Sequence, residues 1–169
     1  MQYNMIKRFW HVLIILALIS CQNQEQVSLS LEGIQNFDLI ETLETSNKIN
    51  KPVLLYFTGY ACVNCKKMND DLLKDTEIIK YLNEHFILIP LYVDDSTKAK
   101  KEEWEKSIFN KRMVRHVGKL NVRLQTILTR TGTQPIFAIV ENEDSMHSYI
   151  GYTRDRVEFL DFLKKGSRD

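Results

Sequence analysis

With 169 residues, 23 basic and 22 acidic side chains, the chain is close to electroneutral at +1, which excludes the broad positive field that a nucleic-acid partner requires. Its 44% hydrophobic content can build a core, and its length suits one domain better than two. Three cysteines are too few to staple a scaffold, so burial must hold the fold together.

The N-terminus carries Lys7 and Arg8 and no acid, then runs apolar from Phe9 to Ile19 apart from His11. That run is shorter than the roughly 20 residues a membrane-spanning helix needs. A basic start, a short apolar stretch and a small residue read as an export signal over 1–20. Its end, Leu18-Ile19-Ser20-Cys21, resembles a bacterial lipobox, in which cleavage precedes the cysteine and the cysteine is lipidated. A plain signal with an incidental Cys21, or an uncleaved anchor, are the competing readings. Gln22 to Gln26 are polar without an apolar face and suit a tether over 21–32, leaving a domain over 33–169. Lys7 and Arg8 leave with the signal, so 21 basic residues remain against all 22 acidic ones. Lipidation would also account for the odd cysteine, since Cys62 and Cys65 pair with one another.

Ile34, Phe37, Ile40, Leu43 and Ile49 recur at helical spacing and predict an amphipathic helix from Ile34 to Ile49. Asn50-Lys51-Pro52 breaks it. Val53 to Phe57 is a continuous apolar run that fits a central strand covered on both faces. Helical pattern resumes after Gly59, with Cys62, Cys65, Met68, Leu72 and Leu73 on one side, and again over Thr76 to His85 with Ile78, Ile79 and Leu82 inward. Phe86 to Val93 is a second strand, in which Pro90 calls for a bend, a bulge or an unpaired edge. Asp94-Asp95-Ser96 ends it as a turn and cap signal.

Lys98 to Lys106 reads as a charged, solvated insertion, helical or irregular, with Trp104 packed down onto the domain. Val117 to Thr129 predicts a helix burying Leu120, Leu124, Ile127 and Leu128, closed by Gly132. Pro135 to Val140 and Met146 to Ile150 are strands, joined closely enough to be antiparallel. A last helix, Arg154 to Lys165, is expected to bury Val157, Leu160, Phe162 and Leu163, while Phe57, Phe86, Phe137, Phe159 and Phe162 read as core. Strand-helix-strand crossovers followed by a hairpin and a covering helix make an α/β fold with a central mixed sheet flanked by helices.

The chemistry sits at Cys62-Val63-Asn64-Cys65, where a strand delivers two thiols to the start of a helix. Only a thiolate attacks a disulfide, and free helix N–H groups can lower a thiol pKa from about 8.5 to about 7 or below. Cys62 is then the nucleophile and Cys65, one turn inside, the resolving thiol. Half of a zinc site is the rival reading, but His85, His116 and His147 would have to complete it and their spacing forms no motif. No metal and no cofactor are expected. Asp94 and Asp95 read as turn and cap residues rather than as an acid/base pair, and Lys66 and Lys67 suit either thiolate support or a solvated face.

Lys51 to Lys66, including Val53-Leu54-Leu55-Tyr56-Phe57 and the Cys62/Cys65 pair, resembles the thioredoxin superfamily. The closest resemblance is to the C-terminal thioredoxin-like domain of the thiol:disulfide interchange protein DsbD and related secreted proteins. It extends through Leu91-Tyr92-Val93-Asp94-Asp95 and Gln134-Pro135-Ile136-Phe137, and so spans nearly all of Ile34 to Lys165. The resemblance implies a thioredoxin-like fold, a cis bond before Pro135, and a substrate groove lined by Thr133, Gln134 and Pro135; Tyr60, the one aromatic close before the pair, reads as a substrate contact of that groove or as a shield over the disulfide. It also implies disulfide-bearing exported proteins as substrates and a membrane electron donor of DsbD type.

One departure is Tyr56, which stands where thioredoxins carry a buried Asp; a phenol with a pKa near 10 cannot act as a carboxylate base at neutral pH. Water, Asp70 or Asp71 would have to accept the Cys65 proton instead. The expectation is a monomeric, lipid-anchored reductase or isomerase of the bacterial cell envelope, its domain in the periplasm or on the outer side. The competing expectation from another class is a non-catalytic binding or assembly module that kept the fold.

Overall fold

The computed structural model describes residues 38–106, 110–142 and 145–168. The expected signal at 1–20, Cys21, the tether to 32, and Ile34 and Phe37 lie outside the described residues.

Helix α1, Leu39–Ile49, is capped by Asp38, whose carboxylate accepts the Glu41 N–H at 3.1 Å, and ends at Asn50 in the left-handed region, φ 54°. Ile40 and Ile49, expected inside, are 53% and 51% exposed, while Leu43 and Ser46 are buried. The inward stripe is Leu39, Leu43 and Ser46: Leu43 is buried as expected, while Leu39 and the small Ser46 take inward places that hydropathy assigned to Ile40 and Ile49.

Strand β1, Val53–Thr58, is wholly buried, as its apolar run predicts. It lies between β2, Ile87–Tyr92, which runs parallel to it, and β5, Ile136–Asn142, which runs antiparallel. Strand β6, Ser145–Ile150, completes the order β2-β1-β5-β6. The β1–β2 register passes unbroken through Tyr56↔Pro90. Pro90 is therefore tolerated because β2 is an edge strand, and no bulge is needed.

Alternation along β1 divides the core into two layers. Leu54 and Tyr56 pack with α2 (Val63–Asp71), α3 (Thr76–His85) and α5 (Arg156–Gly166), through Met68, Leu82, Phe137 and Phe159 among others. Val53, Leu55 and Phe57 face α1 and α4 (Val117–Thr129), through Leu43, Ile89 and Leu128. Helices on both faces of a mixed sheet are the fold the sequence predicts.

Three expectations need correction. In α5, Val157 is 64% exposed, and Phe159, Leu160, Leu163 and Gly166 are the buried residues. Helix α4 buries Asn121 and Gln125 beside Val117 and Leu128, with Leu120, Leu124 and Ile127 only partly covered; Arg130, left-handed at φ 58°, ends it rather than Gly132. The insertion contains a 3-10 turn at Lys101–Glu103 and a short antiparallel pair, β3 (Glu105–Lys106) and β4 (Met113–Val114). Trp104 is half-buried there, its indole N–H on the Ala99 carbonyl at 3.1 Å.

Candidate active site

Three segments far apart in sequence meet at one end of the sheet. Phe57 pairs with Ile136 and Thr58 with Tyr92, so the exits of β1 and β2 and the entry to β5 are neighbours. These carry the Cys62 loop, the Asp94 turn and the Pro135 loop.

The Cys62 loop is pinned by Asp94. Its Oδ1 accepts the Tyr60 N–H and its Oδ2 the Ala61 N–H, each at 2.9 Å. Gly59 makes room, since a Cβ there would stand 3.1 Å from Asp94 Oδ2. Below this clasp the Val93 N–H bonds the Thr58 carbonyl at 2.9 Å, and the Tyr60 ring stacks on Tyr92 at 4.0 Å. Tyr60 remains 56% exposed, an apolar surface next to the cysteines.

A turn from Cys62 N–H to the Gly59 carbonyl, 3.2 Å, places Cys62 at the N-cap of α2. Its Sγ accepts the Cys65 N–H at 3.1 Å, so a donor at the helix start points at this sulfur, an arrangement that would favour its thiolate. Cys62 is half-buried, whereas Cys65 is 1% exposed. The two are joined as a disulfide with Cα atoms 5.2 Å apart.

Tyr56 on β1 is fully buried, stacked on Phe137 at 4.1 Å, and donates its hydroxyl to Asn69 Oδ1 on α2 at 2.6 Å. Burial pushes its pKa up to about 12, so it stays a neutral hydrogen-bonding group at every ordinary pH. The carboxylates considered as proton acceptors are engaged elsewhere. Asp70 pairs with Lys74, and Asp71 pairs with Arg154, whose hydrogen bonds hold the Asp71 carboxyl below its usual range.

The bond between Gln134 and Pro135 is cis. The loop before it is wired to α4 by Gln125, itself without solvent exposure: its Nε2 donates to the Thr133 carbonyl at 2.7 Å, and its Oε1 accepts Gln134 Nε2 at 2.9 Å. Gln134 also bonds the Gly132 carbonyl at 2.8 Å. Its side chain is folded back onto its own loop, so what Gln134 can offer a substrate is backbone. Thr133 is exposed, its hydroxyl 3.1 Å from that of Thr131, and Pro135 is buried.

Asp94 and Gln125 are the site residues that sequence reasoning missed. Asp94 reads as a turn residue because its carboxylate finds its partners 33 and 34 positions upstream. Asn121 and Gln125 did leave a signal, two amides four apart within a helix; Asn121 Nδ2 likewise bonds a carbonyl, that of Tyr92, at 2.8 Å.

Among the described residues, no group of three His, Cys, Asp or Glu could hold a metal ion, and no helix is long and apolar enough to cross a membrane. His85 stacks on Tyr81, His116 precedes α4 and His147 lies 3.1 Å from Glu141. The three thus stand on separate elements.

A family model described as a thioredoxin-like domain matches residues 39–166. The chain belongs to this family. Similar solved structures of thioredoxin-like proteins include a DsbH oxidoreductase, 18% identical with a TM-score of 0.58, covering 86% of this chain and 91% of that one. A disulphide isomerase from Xylella fastidiosa Temecula1 is 16% identical with a TM-score of 0.50, covering 82% and 98%. The reduced C-terminal domain of Neisseria meningitidis DsbD is 18% identical over 75% and 91%, with a TM-score of 0.45. At these identities the likeness is one of fold, and it does not single out DsbD. Among curated proteins there is no significant match.

Proposed function

We propose that this thioredoxin-like protein is a thiol:disulfide oxidoreductase of the cell envelope, reducing or isomerising disulfides of exported proteins through Cys62 and Cys65. The observation that carries the reading is the asymmetry of the pair: Cys62 is partly accessible and takes a helix N–H on its sulfur, while Cys65 is buried one turn behind. Cys62 thiolate attacks a substrate disulfide, forms a mixed disulfide and expels one substrate thiolate. Cys65 thiolate then attacks Cys62 Sγ, expels the second substrate thiolate and leaves Cys62 and Cys65 oxidised; two electrons have moved to the substrate. A membrane donor of DsbD type then supplies two further electrons, reducing the Cys62–Cys65 disulfide back to thiols.

In this reading the backbone beside cis Pro135, held by Gln125, pairs with an extended substrate segment, and Tyr60 covers its apolar side. The chain is exported, lipidated at Cys21 and monomeric. Cys62→Ser is expected to abolish reduction of insulin disulfides. The potential of the pair separates directions: a strongly negative value fits a reductase, and one near −120 mV, the oxidising end of about −270 to −120 mV seen in related folds, contradicts it.

A further inference from the structure

In its described residues, 98–106 and 110–116, the insertion between β2 and α4 is a built element. Lys98 and His116 form a bridge, the Ala99 N–H bonds the Arg115 carbonyl and the Val117 N–H the Thr97 carbonyl, both at 2.9 Å. Farther out β3 pairs with β4, and the Arg115 guanidinium lies 4.8 Å over the Trp104 ring. Gly118 seats the return, because a Cβ there would stand 2.6 Å from the Asp95 N and the Val93 carbonyl.

The arm is also where the positive charge of the chain collects. Residues 98–116 hold seven Lys and Arg against three Glu, while the rest of the chain after position 20 holds 14 basic against 19 acidic residues. Two of the three acids are engaged within the domain: Glu103 accepts the Lys100 N–H at 2.9 Å and Glu105 pairs with Arg123 on α4. Lys98, Lys100, Lys101, Lys106, Lys111 and Arg112 are all exposed. A near-neutral molecule is thus divided into a basic arm and an acidic body.

The arm is rooted at the redox site. Asp95 follows Asp94, whose carboxylate clasps the loop leading into Cys62. We propose that this arm is a docking surface for an acidic segment flanking a disulfide in a protein partner, which it steers onto Cys62. The inference rests on the disulfide-exchange reading. A disulfide-bearing protein is the occupant, because the arm leaves β2 directly after the Asp94 clasp on the loop that leads into Cys62. Steering of this kind raises association rates about 10- to 1,000-fold and fades with salt.

The test uses the full chain, reduced, with two peptides identical except that one disulfide is flanked by Glu and the other by Gln. Rates are read at about 20 mM and about 300 mM salt, where the Debye length falls from roughly 20 Å to roughly 6 Å. The Glu peptide should react about tenfold faster at low salt, with most of that ratio lost at high salt. Lys100→Gln, Lys101→Gln and Lys106→Gln combined should lower the ratio at least about threefold, and Lys111→Gln with Arg112→Gln should act the same way. Equal rates for the two peptides, or a ratio untouched by both variants, overturn the arm proposal alone; failure to reduce either peptide overturns the exchange reading beneath it. If the variants lose binding to vesicles of equal phosphatidylcholine and phosphatidylglycerol yet keep the peptide ratio, the arm serves the membrane and the proposal fails.

Discussion

Tyr56 shows how one residue changes the chemistry open to a shared fold. Its hydroxyl is buried, hydrogen-bonded to Asn69 and raised to a pKa of about 12, so it keeps its proton at neutral pH, where a carboxylate would have lost one. Because the folded state holds this proton more tightly than the unfolded chain, the contribution of Tyr56 to stability is fully present below pH 10 and is lost as pH rises from about 10 to about 12. The loss should reach about 2–3 kcal/mol. Urea melts of wild type and Tyr56→Phe at pH 9 and pH 11.5 check this. The variant should lose about 1 kcal/mol at pH 9, from the abandoned Asn69, and less than wild type on going to pH 11.5.

Asp94 acts on Cys62 through the backbone. Asp94→Ala frees two amides in the loop and should slow insulin reduction roughly tenfold by loosening the approach geometry of Cys62. Gly59→Ala should slow it similarly without altering charge, because the added Cβ would stand 3.1 Å from the carboxylate and crowd it out of the clasp. If only Asp94→Ala slows the reaction, the carboxylate acts by charge and not by holding the loop.

Among elements, α4 joins packing to function most closely. Val117 and Leu128 bury against the sheet, while Asn121 and Gln125 on the same side bond carbonyls at the ends of β2 and of the Pro135 loop. Gln125→Leu keeps the volume and removes both bonds to Thr133 and Gln134. It should raise KM for a peptide disulfide about tenfold while leaving kcat within about twofold; a fall in kcat with KM unchanged would argue against a role in substrate pairing. The bounds of α3 were legible because the Asp75 cap and the apolar spacing agree there, and those of α4 from apolar spacing alone, since His116 makes no side-chain cap. The inward faces of α1 and α5 were not, since Ser46 and Gly166 fill buried positions that hydropathy scales pass over, while Ile40, Ile49 and Val157 remain exposed.

For the molecule as a whole, the continuous apolar run of β1 and the order of elements made the layered sheet legible, and the C-x-x-C spacing made the sulfur site legible. The Asp94 clasp and the Gln125 wiring were not, because each joins segments that only the closed fold brings together. The β3–β4 arm escaped too, its strands being two residues each and richer in charge than in β-branched residues. All these parts bear on one claim, that an accessible Cys62 attacks and a buried Cys65 resolves. The most direct measurement is trapping with Cys65→Ser, which removes the second step and strands the first. The account predicts covalent adducts with envelope proteins, joined through Cys62, released by reductant and missing from the Cys62→Ser/Cys65→Ser double variant. A Cys65→Ser protein that traps no more than the double variant would contradict it.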